Sequence, residues 1–163
     1  MLDFAILAAQ TVQVAAMAVW LAVALRDNVT APRLNGDSIA EILALEAMER
    51  QYPHHFAALC GRALTDPARQ RLLFRMIVLA ESAVVIALTL ASLAMVGALA
   101  GGVAPDTAKA LALLAVAGFS AIWIAFLTGG NHYVYWLCHG NAQRTHFDLL
   151  LWGLGTQVFL ALA

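Results

Sequence analysis

The sequence predicts an all-α membrane protein with four transmembrane helices in an antiparallel bundle. Of its 163 residues, 63% are hydrophobic and only 12% are charged, and the mean hydropathy is +0.80. Soluble globular domains have roughly 45–50% apolar and roughly 25% charged residues, so a soluble form of this chain would expose apolar surface and aggregate. The net charge of −1 creates no field that attracts phosphate, and we therefore expect no nucleic acid as a partner.

Four apolar segments are long enough to cross a bilayer. A spanning helix needs about 20 mostly apolar residues, because the hydrocarbon core is roughly 30 Å thick. The predicted spans are residues 4–25, 73–99, 107–128 and 146–163, and together they form a single integral membrane domain. These segments lack the strict alternation of barrel strands, and helices satisfy their own backbone polar groups in lipid.

Basic residues predict the orientation of the chain. Residues 26–75, from the end of the first span to the start of the second, contain a group of arginines: Arg26, Arg33, Arg50, Arg62, Arg69, Arg71 and Arg75. Loop 129–145 adds Arg144, whereas the opposite side has only Lys109. Since cytoplasmic loops carry the excess of Lys and Arg, we expect loops 26–72 and 129–145 in the cytoplasm and both termini in the periplasm. The excess of arginine over lysine and the many alanines indicate a bacterium, and hence its cytoplasmic (inner) membrane.

The long loop 26–72 is expected to be partly helical, because connections of this length without structure are uncommon. Ser38 and Glu41 have the spacing of a capping box, in which each side chain satisfies a backbone N–H at the helix start. We therefore predict an amphipathic helix over about 38–51, which ends before Pro53. Its polar face is acidic, and packing on the bundle or on a partner is favoured over lipid binding.

A second helix start is predicted at Asp66 and Pro67, with the aspartate as N-cap and the proline as first helical residue. This helix is expected to continue into the second span. Arg71 and Arg75 lie four residues apart on it, where the helix leaves the membrane. We interpret them as lipid-headgroup anchors whose long side chains reach the interface.

Small residues predict close packing of the membrane helices, since these helices associate where their backbones approach. The second span ends with Gly97 and Gly101 at a spacing of four. The third span repeats this spacing with Ala117, Ala121 and Ala125. Together these residues favour a tight bundle, and they leave open whether some faces bind another chain.

Glu81 is the charged residue expected deepest in the bilayer. It lies six residues beyond Arg75, which is roughly 9 Å along a helix. A carboxylate in hydrocarbon is costly, so Glu81 should face protein and find a partner. The candidates for this polar intramembrane cluster are Arg144, His132, His146, Asn28 and Gln143. Glu81 is then either a structural lock of the bundle or a proton or cation site.

Three histidines, His132, His139 and His146, are spaced seven residues apart, as on one face of a continuous helix. Such a face is compatible with haem or metal ligation. We expect Gly129-Gly130 and Gly140-Asn141 to interrupt the helix, which favours interfacial hydrogen bonding with nearby aromatic side chains. The sequence thus predicts neither a metal nor a cofactor, with haem and quinone as the alternatives.

Catalytic patterns are not found in the sequence. It contains no nucleophile–base arrangement, phosphate loop or HExxH motif, so we do not expect an enzyme. Cys60 and Cys138 are expected to face the reducing cytoplasm and to form no disulfide.

Several short motifs carry a resemblance to a known family. Their residues are Trp20, Asp27-Asn28-Val29-Thr30, Asn35, Glu81, Gly129-Gly130, Tyr133 to Trp136, Asn141, Gln143 and Phe147. The chain resembles the predicted small integral membrane proteins classified as domain of unknown function 2165 over nearly its whole length. Gly140 stands where this resemblance leads us to expect a tryptophan. The resemblance implies four membrane helices and brings no catalytic residues.

The leading functional hypothesis is a non-catalytic accessory or structural subunit of a larger bacterial membrane complex, of the bioenergetic kind (respiratory or photosynthetic). Its partners would be the lipid bilayer and either other membrane-protein subunits or further copies of the chain. One alternative is a membrane binding protein that holds a quinone, a lipid or haem between its helices. Another is a small oligomeric transporter that uses Glu81.

Overall fold

The computed structural model describes residues 1–162, and these residues contain helices and no strand. The helices are α1 (Leu2–Thr30), α2 (Pro32–Ala44), α3 (Glu46–Gln51), α4 (Pro53–Leu59), α5 (Pro67–Leu99), α6 (Pro105–His132), α7 (Tyr135–Cys138) and α8 (Gly140–Leu162), with a 3-10 turn at Cys60–Arg62. The all-α prediction is confirmed for this part of the chain.

Three helices in the described residues are long and apolar enough to cross a membrane: α1, α5 and α6. They correspond to the first three predicted spans and extend beyond them at one or both ends. The predicted fourth span, 146–163, falls within α8 apart from Ala163, which lies outside the described residues. Although α8 has 23 residues, it is not one of these three helices, and its crossing of the membrane stays a prediction.

The four long helices pack in the order α1, α5, α6, α8. Residues 100–104 join α5 to α6, and this short connection makes the two neighbours antiparallel. Buried positions on α1 recur every three or four residues, which is the period of a helix with one apolar stripe. The side chains that fill the centre are Val14, Met17, Leu21, Leu88, Met95, Val116 and Phe119.

The start of α5 confirms the predicted signal. The Asp66 carboxylate accepts a hydrogen bond from the backbone N–H of Ala68 over 2.8 Å, and Pro67 is the first helical residue. From there the helix continues without interruption to Leu99. Both Arg71 and Arg75 are exposed on its first turns.

The helical part of the long loop differs from the prediction at its start. The helix α2 begins at Pro32 rather than at Ser38, and the Ser38 hydroxyl, in the helix interior, donates to the carbonyl of Leu34. A proline with its fixed φ angle is suited to the first helical position, so the helix begins at Pro32 and not at Ser38. The segment 38–51 is also divided, because Leu45 has a left-handed backbone with φ of 58°. As predicted, α3 ends before Pro53.

The glycine pair Gly129-Gly130 does not interrupt α6, contrary to expectation. The helix continues to His132, and the chain turns at Val134, whose φ is 54°. The prediction fails because glycine weakens a helix but does not end it where tertiary packing holds the segment.

Within residues 1–162, the small residues predicted to pack do not lie at close contacts between helices. Gly101 follows the end of α5 in a turn with φ of 77°, and Gly97 approaches the side chain of Val103 rather than a neighbouring helix. On α6, the residues Ala117, Ala121 and Ala125 are exposed. The larger side chains of that helix, Phe119 and Trp123 among them, determine which face is buried.

Close approach of helices occurs at two other glycines. A Cβ on Gly153 of α8 would overlap Ser120 Oγ of α6, and a Cβ on Gly118 of α6 would lie 3.3 Å from Val84 of α5. Glycine at these positions lets α6 lie close to both of its neighbours.

Candidate functional site

A cavity of about 670 Å³ lies between α1, α2, α5, α6, α7 and α8. Most of its lining is apolar, with Ile39, Ile42, Met76, Ile77 and Ile122 as examples. Pockets for small molecules typically have volumes of about 300–1,000 Å³, apolar walls and a few placed polar groups. The cavity has the size and the character of such a pocket.

A chain of three polar side chains forms one side of the cavity. Asn35 Nδ2 donates to Asn28 Oδ1 over 2.6 Å, and Asn28 Nδ2 donates to Glu81 Oε2 over 2.7 Å. Asn28 and Glu81 are buried, with 6% and 5% of their surface exposed. The chain thus places a carboxyl group in apolar surroundings with an amide donor in contact.

Local structure explains how these three residues meet. Asn28 lies in the last turn of α1, and the chain bends at Ala31 before α2 begins. The bend returns Asn35 to Asn28, seven residues earlier in the chain. The packing of α1 along α5 then brings Glu81 to the same point.

Glu81 has one carboxyl oxygen left over. Its Oε2 accepts from Asn28, whereas within residues 1–162 no hydrogen bond reaches Oε1. This oxygen is also not among the fully enclosed atoms without a partner, which in the described chain are Gln10 Oε1 and Trp123 Nε1. Because Glu81 lines the cavity, Oε1 is available to a group inside it.

Aromatic rings form another part of the cavity lining. The His146 ring lies nearly parallel to three others, with centroid distances of 5.6 Å to Trp123, 4.9 Å to Phe126 and 6.0 Å to Tyr135. The Tyr135 hydroxyl lies 3.5 Å from His146 Nδ1. Burial raises the pKa of the Tyr135 phenol, so this hydroxyl keeps its proton at neutral pH. All four residues line the cavity.

The other predicted members of the polar cluster lie elsewhere. The backbone carbonyl of His132 accepts from Arg62 over 3.2 Å, and Gln143 lies 3.5 Å from the side chain of Asn131. Arg144 is exposed. Of the candidate partners, the structure brings Asn28 to the carboxyl group of Glu81, and it places His146 in the same cavity.

The described residues that line the cavity include neither lysine nor arginine. Glu81 is therefore the group that gives the lining its acidic character, and the exposed Arg71 and Arg75 lie outside the cavity. An anionic headgroup would meet no cation here.

Sequence reasoning did not identify the cavity or its aromatic side. One signal was present: many residues that carry the family resemblance line this cavity, namely Trp20, Asn28, Asn35, Glu81, Gly129, Gly130, Tyr133 and Tyr135. These residues are far apart in the chain, and the fold collects them around one space.

The comparison with known protein families agrees with the fold in indicating an integral membrane protein. The family described as "Predicted small integral membrane protein (DUF2165)" matches residues 6–163. No curated protein and no solved structure matches the chain.

Proposed function

Because the chain belongs to the DUF2165 family of predicted small integral membrane proteins, we propose that it is a membrane binding protein that holds an apolar small molecule between its helices. The observation that carries this proposal is the apolar cavity of about 670 Å³ with Glu81, Asn28 and Asn35 on one side. A few fixed polar groups in an apolar wall orient a ligand, while the wall supplies most of the buried area.

The proposal places the protein in the bacterial cytoplasmic membrane as an antiparallel four-helix bundle. In this arrangement α8 is the fourth membrane helix, both termini are periplasmic, and loops 26–72 and 129–145 are cytoplasmic. The distribution of arginines supports the orientation. The packing of α8 along α6 supports its place in the bundle.

Extraction of bound molecules tests the binding function directly. The protein is purified in a mild detergent, extracted with organic solvent and analysed by mass spectrometry, beside a variant in which Ala80→Phe fills the cavity. Ala83→Phe is the matched control, since Ala83 lies on the same helix, is exposed and does not line the cavity. We expect a molecule that the wild type and Ala83→Phe retain and Ala80→Phe loses. Equal amounts in all three proteins would contradict the proposal.

A second candidate function is an accessory, non-catalytic subunit of a larger bioenergetic complex, respiratory or photosynthetic. It is favoured by Ala117 and Ala121, which are exposed on α6 at a spacing of four and do not line the cavity, because membrane helices associate through small residues. Native mass spectrometry of gently solubilised membranes tests it. A complex that Ala121→Phe dissociates and Ala83→Phe preserves would support this function, and a free monomer would count against it.

A further inference from the structure

We infer that the cavity selects a neutral amphiphile whose flat ring carries a hydroxyl donor, such as a phenolic or quinol-type lipid. The inference rests on the proposed binding function and specifies the class of ligand. Three features of the cavity carry it: an acceptor, a stacked aromatic wall and the absence of basic side chains from the lining described here.

The acceptor is the carboxyl group of Glu81. Asn28 occupies Oε2 as a donor, and Oε1 accepts nothing from residues 1–162. A carboxyl oxygen accepts a hydrogen bond, so the complementary ligand group is an O–H or N–H donor. Because Glu81 lines the cavity and Oε1 has no donor within residues 1–162, a ligand hydroxyl can supply that hydrogen bond.

The flat ring of the ligand is indicated by the geometry of the aromatic residues in the lining. The planes of Trp123 and Phe126 lie at 26° and 25° to the plane of His146, so the rings form a stack of nearly parallel plates. A flat ring in the cavity can extend this stack in an offset arrangement, which aromatic pairs favour. A saturated acyl chain would gain only apolar contact.

The charge of the lining excludes the commonest membrane headgroups. A phosphate would be brought next to Glu81 and would find no lysine or arginine among the described lining residues. An ammonium group would satisfy Glu81, yet it would have to leave water for an apolar cavity, which is far more costly than the burial of a hydroxyl. The ligand group that fits Glu81 is therefore an uncharged hydrogen-bond donor.

Haem is also a poor fit to these residues. Within the described residues, His146 is the one histidine that lines the cavity, and its ring is stacked on those of Trp123, Phe126 and Tyr135. His132 and His139 do not line the cavity. A ring-bearing lipid alcohol uses the groups that are present and needs no axial ligand.

Two matched probes test the ligand class: 4-decylphenol and its methyl ether, 4-decylanisole, which differ in the hydroxyl donor. Binding to the protein in lipid nanodiscs is followed by tryptophan fluorescence, because Trp20 and Trp123 line the cavity, and it is corrected for partition into empty nanodiscs. We expect the wild type to bind the phenol about tenfold more tightly than the ether, as the loss of one hydrogen bond to a buried acceptor predicts.

Variants assign that preference to Glu81. Glu81→Leu should bind both probes equally, whereas Glu81→Gln keeps an acceptor oxygen and should retain the preference. Equal binding of the two probes by the wild type would overturn the inference without requiring any variant to fold. Tighter binding of decylamine than of the phenol would overturn it as well.

The same measurements separate the two proposals. If both probes bind equally to the wild type and Ala80→Phe weakens both, the binding function stands and the ligand class is wrong. If neither probe binds, or if Ala80→Phe and the control Ala83→Phe bind them as the wild type does, the binding function itself is wrong.

Discussion

Asn28 donates a hydrogen bond to Glu81 across 2.7 Å, and this bond links the last turn of α1 to the middle of α5. Both side chains are buried in an otherwise apolar region. Asn35 holds the amide from the other side, because its Nδ2 donates to Asn28 Oδ1. The carboxyl group is therefore fixed in position before any ligand arrives, which is the condition for a selective polar contact.

Removal of Asn28 should destabilise the fold. In Asn28→Ala the buried Glu81 oxygen loses its donor, and such a loss costs about 1–3 kcal/mol of unfolding free energy. Unfolding by SDS in mixed micelles, followed by circular dichroism, measures the change. Thr30→Ala is the control, since the exposed Thr30 hydroxyl donates to the Arg26 carbonyl of its own helix.

The double variant Asn28→Ala/Glu81→Leu should lose less unfolding free energy than the sum of the two single variants, because it leaves no carboxyl group without a donor. Additive losses would contradict this coupling.

Part of the fold follows from local sequence signals. Asp66 and Pro67 start α5 as predicted, since the carboxylate caps a free N–H and the proline needs none. Pro53 likewise marks the end of α3. These signals succeed because each depends on only a few neighbouring residues.

Other features depend on contacts that no local pattern records. Leu45 adopts a left-handed backbone that is uncommon for a residue with a Cβ, and nothing in the sequence around it indicates this. Ser38 and Glu41 have the spacing of a capping box but lie inside α2, because Pro32 starts the helix earlier. A motif of two residues does not decide between competing helix starts.

The candidate site illustrates the same limit. The sequence identified Glu81 as a buried carboxylate in need of a partner, because the cost of a charge in lipid is a local property. It did not identify Trp123 and Phe126 as a wall, since their spacing on α6 is equally typical of core residues. The cavity exists only through the relative placement of six helices.

Packing of α8 on α6 should depend on Gly153. A Cβ there would overlap Ser120 Oγ and lie 3.3 Å from Phe119, and Ser120 also accepts a hydrogen bond from Gln157 over 2.8 Å. Gly153→Ala should therefore lower the unfolding free energy by about 1–3 kcal/mol, the usual cost of overpacking.

Gly155 provides the matched control for that substitution. It lies two residues further along α8, and a Cβ there would meet no atom within 4 Å. Since alanine is the better helix former by about 1 kcal/mol, Gly155→Ala should be neutral or stabilising. Equal effects of the two substitutions in the same SDS titration would show that α8 does not lie against α6 as described.

Gly130 should control the aromatic side of the cavity. A Cβ on this residue would lie 2.6 Å from the Tyr135 ring, so Gly130→Ala must displace a buried tyrosine that stacks on His146. A displacement that costs about 1 kcal/mol corresponds to roughly fivefold weaker binding of 4-decylphenol. Gly155→Ala is the control, because Gly155 does not line the cavity and a Cβ there meets nothing within 4 Å. Unchanged binding in Gly130→Ala would exclude Tyr135 from the site.

The cap of α5 should be worth a measurable amount of stability. Asp66→Ala removes the acceptor for the Ala68 N–H and the ion pair with Arg69, whose atoms are 3.5 Å apart. We expect a loss of about 1 kcal/mol, almost all of it from the cap, since exposed ion pairs contribute little. Asp66→Asn keeps the capping oxygen and should lose much less. If both variants were equally unstable, the ion pair rather than the cap would be the cause.

Cysteine labelling tests the proposed orientation. A membrane-impermeant maleimide added to intact cells should miss Cys60 and Cys138, which lie in the two loops proposed to be cytoplasmic, and should reach a cysteine introduced by Gly102→Cys in the exposed turn between α5 and α6. Inverted membrane vesicles should give the opposite pattern. Labelling of native Cys60 in intact cells would reverse the topology.

The two native cysteines should also differ in how fast they react once the reagent reaches them. Cys60 is exposed, whereas Cys138 is partly covered. Burial raises the pKa of the Cys138 thiol, and Glu41 adds to this effect while Arg50 opposes it. Because the thiolate is the reactive form, a raised pKa leaves less of it at neutral pH, so Cys138 should label more slowly than Cys60 in inverted vesicles.

The labelling rate of Cys138 should level off at a higher pH than the rate of an ordinary thiol. A Glu41→Gln variant should speed the labelling of Cys138 at neutral pH, since it removes a nearby negative charge. Labelling of Cys138 that is as fast as that of Cys60 and independent of Glu41 would contradict the burial of Cys138 and its placement near Glu41.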